Sequence, residues 1–313
     1  VFASLGGSYQ DAEVQAFIEP FMKETGAEVT SLEEFEVAKL TDSVKAGAPI
    51  ADVIDYDTTV AADLCSEYLL PIDTKIVDLS KVDQSMISSP CGAPIIRYGF
   101  GIFYNTTKYP TAPTGCKDFF DTTNFPGTRG VMGSAIPNQI LECALIADGV
   151  AADQLYPLDF ARAFAKIASI KDSIKFWGSG AESADFMTSS EVDMLMAWTG
   201  RGYKAIEEQK APYAIVPNDI FVLSDDVFVP KGVKDPAAAF SLVNYMMNPE
   251  RQVDLARLIP YSPSRTDAKI DMEAPTARYL VSNSEYKTIA VNQKWWAENT
   301  KAVQEAWDAN ITQ

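Results

Sequence analysis

The first sixty residues restrict the fold more than any other stretch. Val1–Leu5 is a short apolar strand pattern, followed by an amphipathic helix over about Asp11–Thr25. A strand at Ala27–Thr30, a helix over Glu36–Ala46 and a strand at Ala51–Tyr56 come next. Ala12, Phe17, Ile18, Phe21 and Met22 give the first helix its apolar side, and Gly26 is its stop. Such alternation is the pattern of a parallel α/β sheet, because parallel strands need a crossover between them. Ligands of such sheets sit at the carboxyl ends of the strands. Ser8 and Tyr9 follow the first strand, and Tyr56, Asp57 and Thr58 fall at the end of the third.

At 313 residues the chain is long for one core and predicts two lobes of ~150 residues each. Ile95–Asn105, which carries Tyr98 and two glycines, is longer than a typical strand and reads as a crossing between lobes. The proline-rich Tyr109–Pro113 marks a linker. A second α/β series then runs through a strand at Arg129–Gly133 and a helix carrying Cys143, with Pro137 in its first turn. It continues with a helix over Leu158–Ile170, a strand at Ile174–Trp177, a helix entered through Gly178-Ser179-Gly180, and a strand at Val192–Ala197. Ile220–Pro230 reads as the return crossing, and Ile259–Pro263 as a rigid turn that holds Tyr261 out. The expected organisation is a first lobe of residues 1–104 and 225–265 and a second lobe of 105–224. Residues 266–313 are expected as C-terminal helices packed on the second lobe, with Trp295, Trp296 and Trp307 as packing residues.

Composition removes whole classes of function. The net charge of −17, from 43 acidic and 26 basic residues, argues against nucleic acid and anionic membranes as partners and is compatible with an amine-bearing ligand. There is no histidine, which excludes Ser/His/Asp and Cys/His triads and the usual zinc sites. Gly6-Gly7 lacks the third glycine of a dinucleotide loop, and no Walker or GxSxG motif is present. No cofactor, no metal and no enzymatic activity are expected. No apolar run is long enough to span a bilayer. The nearly even spacing of Cys65, Cys91, Cys116 and Cys143 suits bridges made in order along the chain. Four cysteines allow three pairings, and four free thiols are the alternative. Bridges would imply an oxidising compartment, and the opening strand reads as that of a secretory protein whose signal peptide has been removed.

The stretch with the most specific chemistry is Met194–Tyr203. An apolar strand delivers Trp198, and a turn framed by Gly200 and Gly202 delivers Arg201 before a helix from about Tyr203. An aromatic face and a guanidinium three residues apart can clamp a small organic anion or zwitterion; a core tryptophan beside a solvated arginine is the plainer reading. In the return crossing, alternation puts Asp225 and Asp226 on opposite faces.

Leu5-Gly6-Gly7-Ser8-Tyr9, Phe21–Gly26, Ala51–Ile54, Trp198–Tyr203 and Val229–Gly232, in this order and spacing, together resemble the periplasmic substrate-binding proteins of ABC importers. Within them the match is to the spermidine/putrescine-type branch, which includes γ-aminobutyrate (GABA) receptors. The resemblance covers essentially the whole chain. It implies a type II periplasmic binding protein fold, two α/β lobes joined by two hinge crossings, with the solute held in an interlobe cleft. It also implies a Gram-negative periplasm, delivery to an inner-membrane ABC permease, and a monomer. By resemblance Tyr9, Tyr56, Thr58 and Tyr261 match family site positions, with Ser8, Asp57, Tyr98 and Asp226 as further candidates. Trp198 matches the tryptophan that stacks on the solute's methylene chain, and Asp225 the carboxylate that takes an amine. The acid pair that polyamine receptors carry near Pro137 is replaced by Ile136 and Gln139. Arg201 would repel a dication by roughly 3 kcal/mol at ~5 Å and welcome a carboxylate. The expected solute is a short ω-amino acid, GABA first, with a polyamine as the alternative. An iron receptor using Tyr9, Tyr56 and Tyr261 is a more distant one.

Overall fold

A computed structural model of the chain describes residues 1–33, 35–134, 138–271 and 275–311; Ile136 and Pro137 lie outside them. The described strands are β1 (Phe2–Ser4), β2 (Ser31–Glu33), β3 (Val53–Asp57), β4 (Gly92–Asn105), β5 (Arg129–Met132), β6 (Ile174–Trp177), β7 (Met194–Trp198), β8 (Tyr213–Ile215), β9 (Ile220–Phe228), β10 (Ser262–Pro263) and β11 (Thr288–Ala290). The chain divides into two compact units, Val1–Arg97 with Leu223–Arg278, and Tyr98–Val222 with Tyr279–Gln313. It passes from one to the other three times: within β4, within β9, and after Arg278.

In the first unit β1 lies between β2 and β3, parallel to both, and β3 pairs antiparallel with β9. The helix that follows β1 starts earlier than its amphipathic pattern predicts. Gly7–Glu13 is α-helical, Val14–Ile18 is a π turn, and Glu19–Thr25 completes it before Gly26 stops it at φ 73°. Its apolar side buries Ala12, Ala16, Phe17, Ile18 and Phe21. β2 falls a few residues later than the expected strand, at Ser31–Glu33, as an edge with little burial. A separate core of Ala3, Leu40, Ile54, Ala61, Leu64, Leu69 and Phe228 fills the other side of the sheet. Cys65 and Cys91 are bonded against this core.

In the second unit β5 lies between β6 and β7, parallel to both, and β7 pairs antiparallel with β4. The three parallel strands therefore present their carboxyl ends on one edge. Cys116 and Cys143 join the helices Cys116–Phe119 and Ile140–Ala147. Arg129 is wholly buried in β5 and donates to the carbonyls of Phe119, Phe125 and Gly127, tying the 119–127 loop to the sheet. The C-terminal segment is less helical than expected. Thr288–Ala290 forms β11 along β9, and only then does the helix Gln293–Asn310 begin, burying Trp296 and Trp307. That strand has no periodicity of its own, and its hydrogen bonds come from a neighbour distant in sequence.

Candidate functional site

In the first unit the chain leaves β1 through Gly6 and Gly7, at φ 68° and 57°, a region costly for other residues. The turn puts half-buried Ser8 and buried Tyr9 in the first turn of the helix Gly7–Glu13. Tyr9 meets Tyr261 edge-on, with ring centroids 5.2 Å apart. Tyr261 is thus buried and not held out: Ser262 and Pro263 pair with Ile96 and Arg97 of β4, which draws the turn into the sheet.

One helical turn after Tyr9, and so on the same helix face, stands Glu13. Ser4 Oγ lies 2.5 Å from Glu13 Oε2 and 3.3 Å from Asp55 Oδ2, and all three residues are wholly buried. A hydroxyl donates one proton, so both contacts are hydrogen bonds only when one of the two acids is protonated and donates to Ser4. Burial pushes both carboxyls well above their usual range, and the Glu13 charge adds to the effect on Asp55. Burial, then the charges of Asp55, Glu13 and Asp225, raise the Tyr9 hydroxyl as well. The Tyr9 hydroxyl, Glu13 Oε1 and Asp55 Oδ1 make no hydrogen bond of good geometry among the described residues, yet Tyr9 stands close enough to both acids to offset part of their rise.

The β3–β9 register sets Asp57 opposite Asp225 and Tyr56 opposite Asp226. Paired residues share a face and alternate along the strand, so Asp225 lies on the face of Asp55 and Asp57, and Asp226 on the other. Asp226 is buried against Gly92, and its Oδ1 accepts from Thr58 Oγ1 at 2.7 Å. Thr58 Oγ1 is also 2.9 Å from Ser224 Oγ. Burial raises the Asp226 carboxyl to about 7. Asp57 caps the helix Thr58–Tyr68, accepting from the Thr59 amide at 2.8 Å. Asp57 and Thr58 therefore serve the strand–helix junction. Tyr56 is half-buried, 5.4 Å from Phe35, and its hydroxyl is raised by burial, then by Asp57 and Asp225.

In the second unit β7 is buried up to Trp198, whose ring meets Trp177 at 5.2 Å and Phe100 at 6.0 Å, edge-on to both. Trp177 is itself fixed by donating from Nε1 to the Met196 carbonyl at 3.2 Å. The helix begins at Thr199, not Tyr203, and continues as a π turn over Lys204–Glu208. Gly200 and Gly202 lie inside it, so they do not frame a turn. Gly202 instead makes room for the Phe103 ring. Arg201 is half-buried three residues past Trp198, its guanidinium packed against Gly180. Tyr98 is buried in β4.

β6 ends at Trp177 and leads into Gly178–Gly180, and β7 ends at Trp198 and leads into Arg201. Asn138 donates to the Met132 and Ser134 carbonyls at the end of β5. The parallel strands therefore bring Gln139, Trp177 and Trp198 to one sheet edge. Gln139 is wholly buried at the start of the helix Ile140–Ala147, and neither atom of its amide has a partner among the described residues. Sequence reasoning missed Ser4, Glu13, Asp55 and Trp177. Spacing carried a signal for two of them: Glu13 is four residues after Tyr9 on a helix, and Asp55 two before Asp57 on a strand. Chemically, the first unit offers carboxylates and tyrosines suited to an ammonium group, and the second an aromatic wall with a guanidinium suited to a carboxylate.

Residues 16–278 match the family model of the bacterial extracellular solute-binding proteins. The chain belongs to that family. This solute-binding protein is 28% identical to the gamma-aminobutyric acid-binding protein of Pseudomonas aeruginosa, over 98% of this chain and 89% of the relative. Its fold superposes on the solved Atu4243-GABA receptor with a TM-score of 0.90 at 31% identity, over 98% of this chain and 96% of that one. It superposes equally on AgtB from A. tumefaciens R10, solved in complex with agropinic acid, with a TM-score of 0.89 at 30% identity, over 100% and 98% of the two chains. The protein is thus a solute-binding receptor of an ABC transporter, and no described helix is long and apolar enough to cross a membrane.

Proposed function

We propose that the protein is a periplasmic receptor that captures γ-aminobutyrate and delivers it to an inner-membrane permease. In this reading Asp225, with Tyr9 and Tyr261, takes the amine, while Tyr56 stands on the other face of the sheet beside Phe35. Trp198 lies along the methylene chain, and Arg201 takes the carboxylate. The observation that carries it is the opposed chemistry of the two groups of residues. None of the neighbours acting most strongly on Tyr9, Glu13 or Asp55 is a lysine or an arginine, whereas Trp198 is followed within one helical turn by Arg201. The neutral amide of Gln139 supports a zwitterion over a dication. The GABA-binding relative and the GABA receptor add to that support, and the agropinic acid complex makes a larger acidic solute the comparison to run.

A polyamine is the second reading, favoured by the buried carboxyls of the first unit, which would suit an amine whatever lies at its other end. Calorimetry with GABA, putrescine and agropinic acid separates these solutes. GABA is expected to bind, and Arg201→Ala and Asp225→Asn are each expected to weaken it about tenfold to a hundredfold, the range for a hydrogen bond to a charged group. Tight putrescine binding with no GABA response would overturn the proposal.

A further inference from the structure

Gly180 is the first residue of the helix Gly180–Thr188, on the loop that follows β6. Its φ is not in the left-handed region, so the backbone there would accept any L-residue. What excludes a side chain is Arg201. A Cβ at position 180 would lie 3.0 Å from Arg201 Cζ and 3.1 Å from Nη2, and closer still to Nε. The guanidinium thus rests on the bare Cα of Gly180, occupying the volume that a methyl group would take.

We propose that Gly180 is a specificity-determining position: its missing side chain is the seat that sets where the Arg201 guanidinium stands, and with it the recognition of a solute carboxylate. The inference rests on the role given to Arg201 under the proposed function, but the seat itself is a property of the ligand-free protein. Several features hold the seat still. Ser179 caps the helix by accepting from the Glu182 amide at 3.2 Å, Glu182 Oε2 accepts from the Gly178 amide at 2.6 Å, and Ser183 Oγ donates to the Gly180 carbonyl at 2.8 Å. The loop is therefore pinned on both sides of Gly180, and a Cβ added there moves the arginine rather than the loop. A long flexible side chain yields cheaply, so the cost falls on guanidinium position and not on the fold. Bidentate pairing with a carboxylate depends on fixed geometry, which makes recognition sensitive to a displacement that stability does not register. Alanine is also the better helix former.

The test is Gly180→Ala, with Arg201→Ala and the double variant beside it. In ligand-free, 15N-labelled protein the Arg201 Nε–Hε cross-peak, assigned by its loss in Arg201→Lys, is expected to move in Gly180→Ala while thermal stability holds or rises. By calorimetry Gly180→Ala is expected to bind GABA about tenfold more weakly or worse, and the double variant no more weakly than Arg201→Ala alone. An unmoved cross-peak, wild-type affinity in Gly180→Ala, or an equal further loss in the Arg201→Ala background would each overturn the seat. If the wild-type protein does not bind GABA, the choice of solute fails and the cross-peak alone decides the seat.

Discussion

Glu142 shows how strongly a single buried acid ties this protein to pH. It is wholly buried, and its Oε1 accepts from Tyr156 at 2.6 Å and from Trp296 Nε1 at 2.7 Å. Burial outweighs both donors and raises its carboxyl to about 7. A folded-state value above the unfolded one means the folded state holds the proton more tightly. The associated stability is complete below the unfolded value of about 4.3 and is lost as pH rises through 7. Asp226, also raised to about 7, acts in the same direction. Urea unfolding at a series of pH values should therefore show stability falling from pH 5 to pH 8. Glu142→Gln mimics the protonated acid, keeps an acceptor for both donors and should flatten part of that slope, gaining on the order of 3–4 kcal/mol at pH 8. A variant that follows the wild-type slope unchanged would remove Glu142 from the account.

At the scale of the element, β4 tolerates its neighbours only because of where its glycines fall. A Cβ at Gly92 would stand 2.7 Å from Asp226 Cγ and 2.9 Å from its Cβ. Unlike an arginine tip, this is the short root of a buried side chain on a strand. Gly92→Ala should cost about 3 kcal/mol or more, measured by denaturant unfolding. A cost under about 1 kcal/mol would show that the carboxyl has room to retreat. The same element shows what sequence could and could not reveal. Its long apolar run made it legible as a crossing strand, as alternation made β1, β3 and the helices around them legible. The opposite faces of Asp225 and Asp226 followed from alternation alone. β11 was not legible, because its pairing with β9 is purely non-local. Nor was the inward position of Tyr261, which depends on two residues pairing with Ile96 and Arg97. At the candidate site, Trp198 and Arg201 stood out by their chemistry. Ser4, Glu13 and Asp55 did not, since only the β1–β3 register and one helical turn bring them together. Gly180 matters through an atom it lacks, which no residue pattern announces.

At the scale of the whole molecule, each unit carries one disulfide, Cys65–Cys91 in the first and Cys116–Cys143 in the second. The second closes a loop between residues 27 apart in sequence. Removing it as Cys116→Ser with Cys143→Ser should cost about 3–4 kcal/mol on loop-closure entropy. Hydrogen exchange should register the loss across Tyr98–Val222, and undiminished protection there would contradict the entropy argument. The three passes of the chain between units have a consequence for folding. β3 finds its antiparallel partner only in β9, whose paired residues are Asp225–Phe228. A chain threaded from its N-terminus into the compartment where it folds delivers β9 well after β3. For that interval Val53–Asp57 is an open edge carrying two aspartates. These charges, expensive once buried, discourage a stranger's strand from pairing there first.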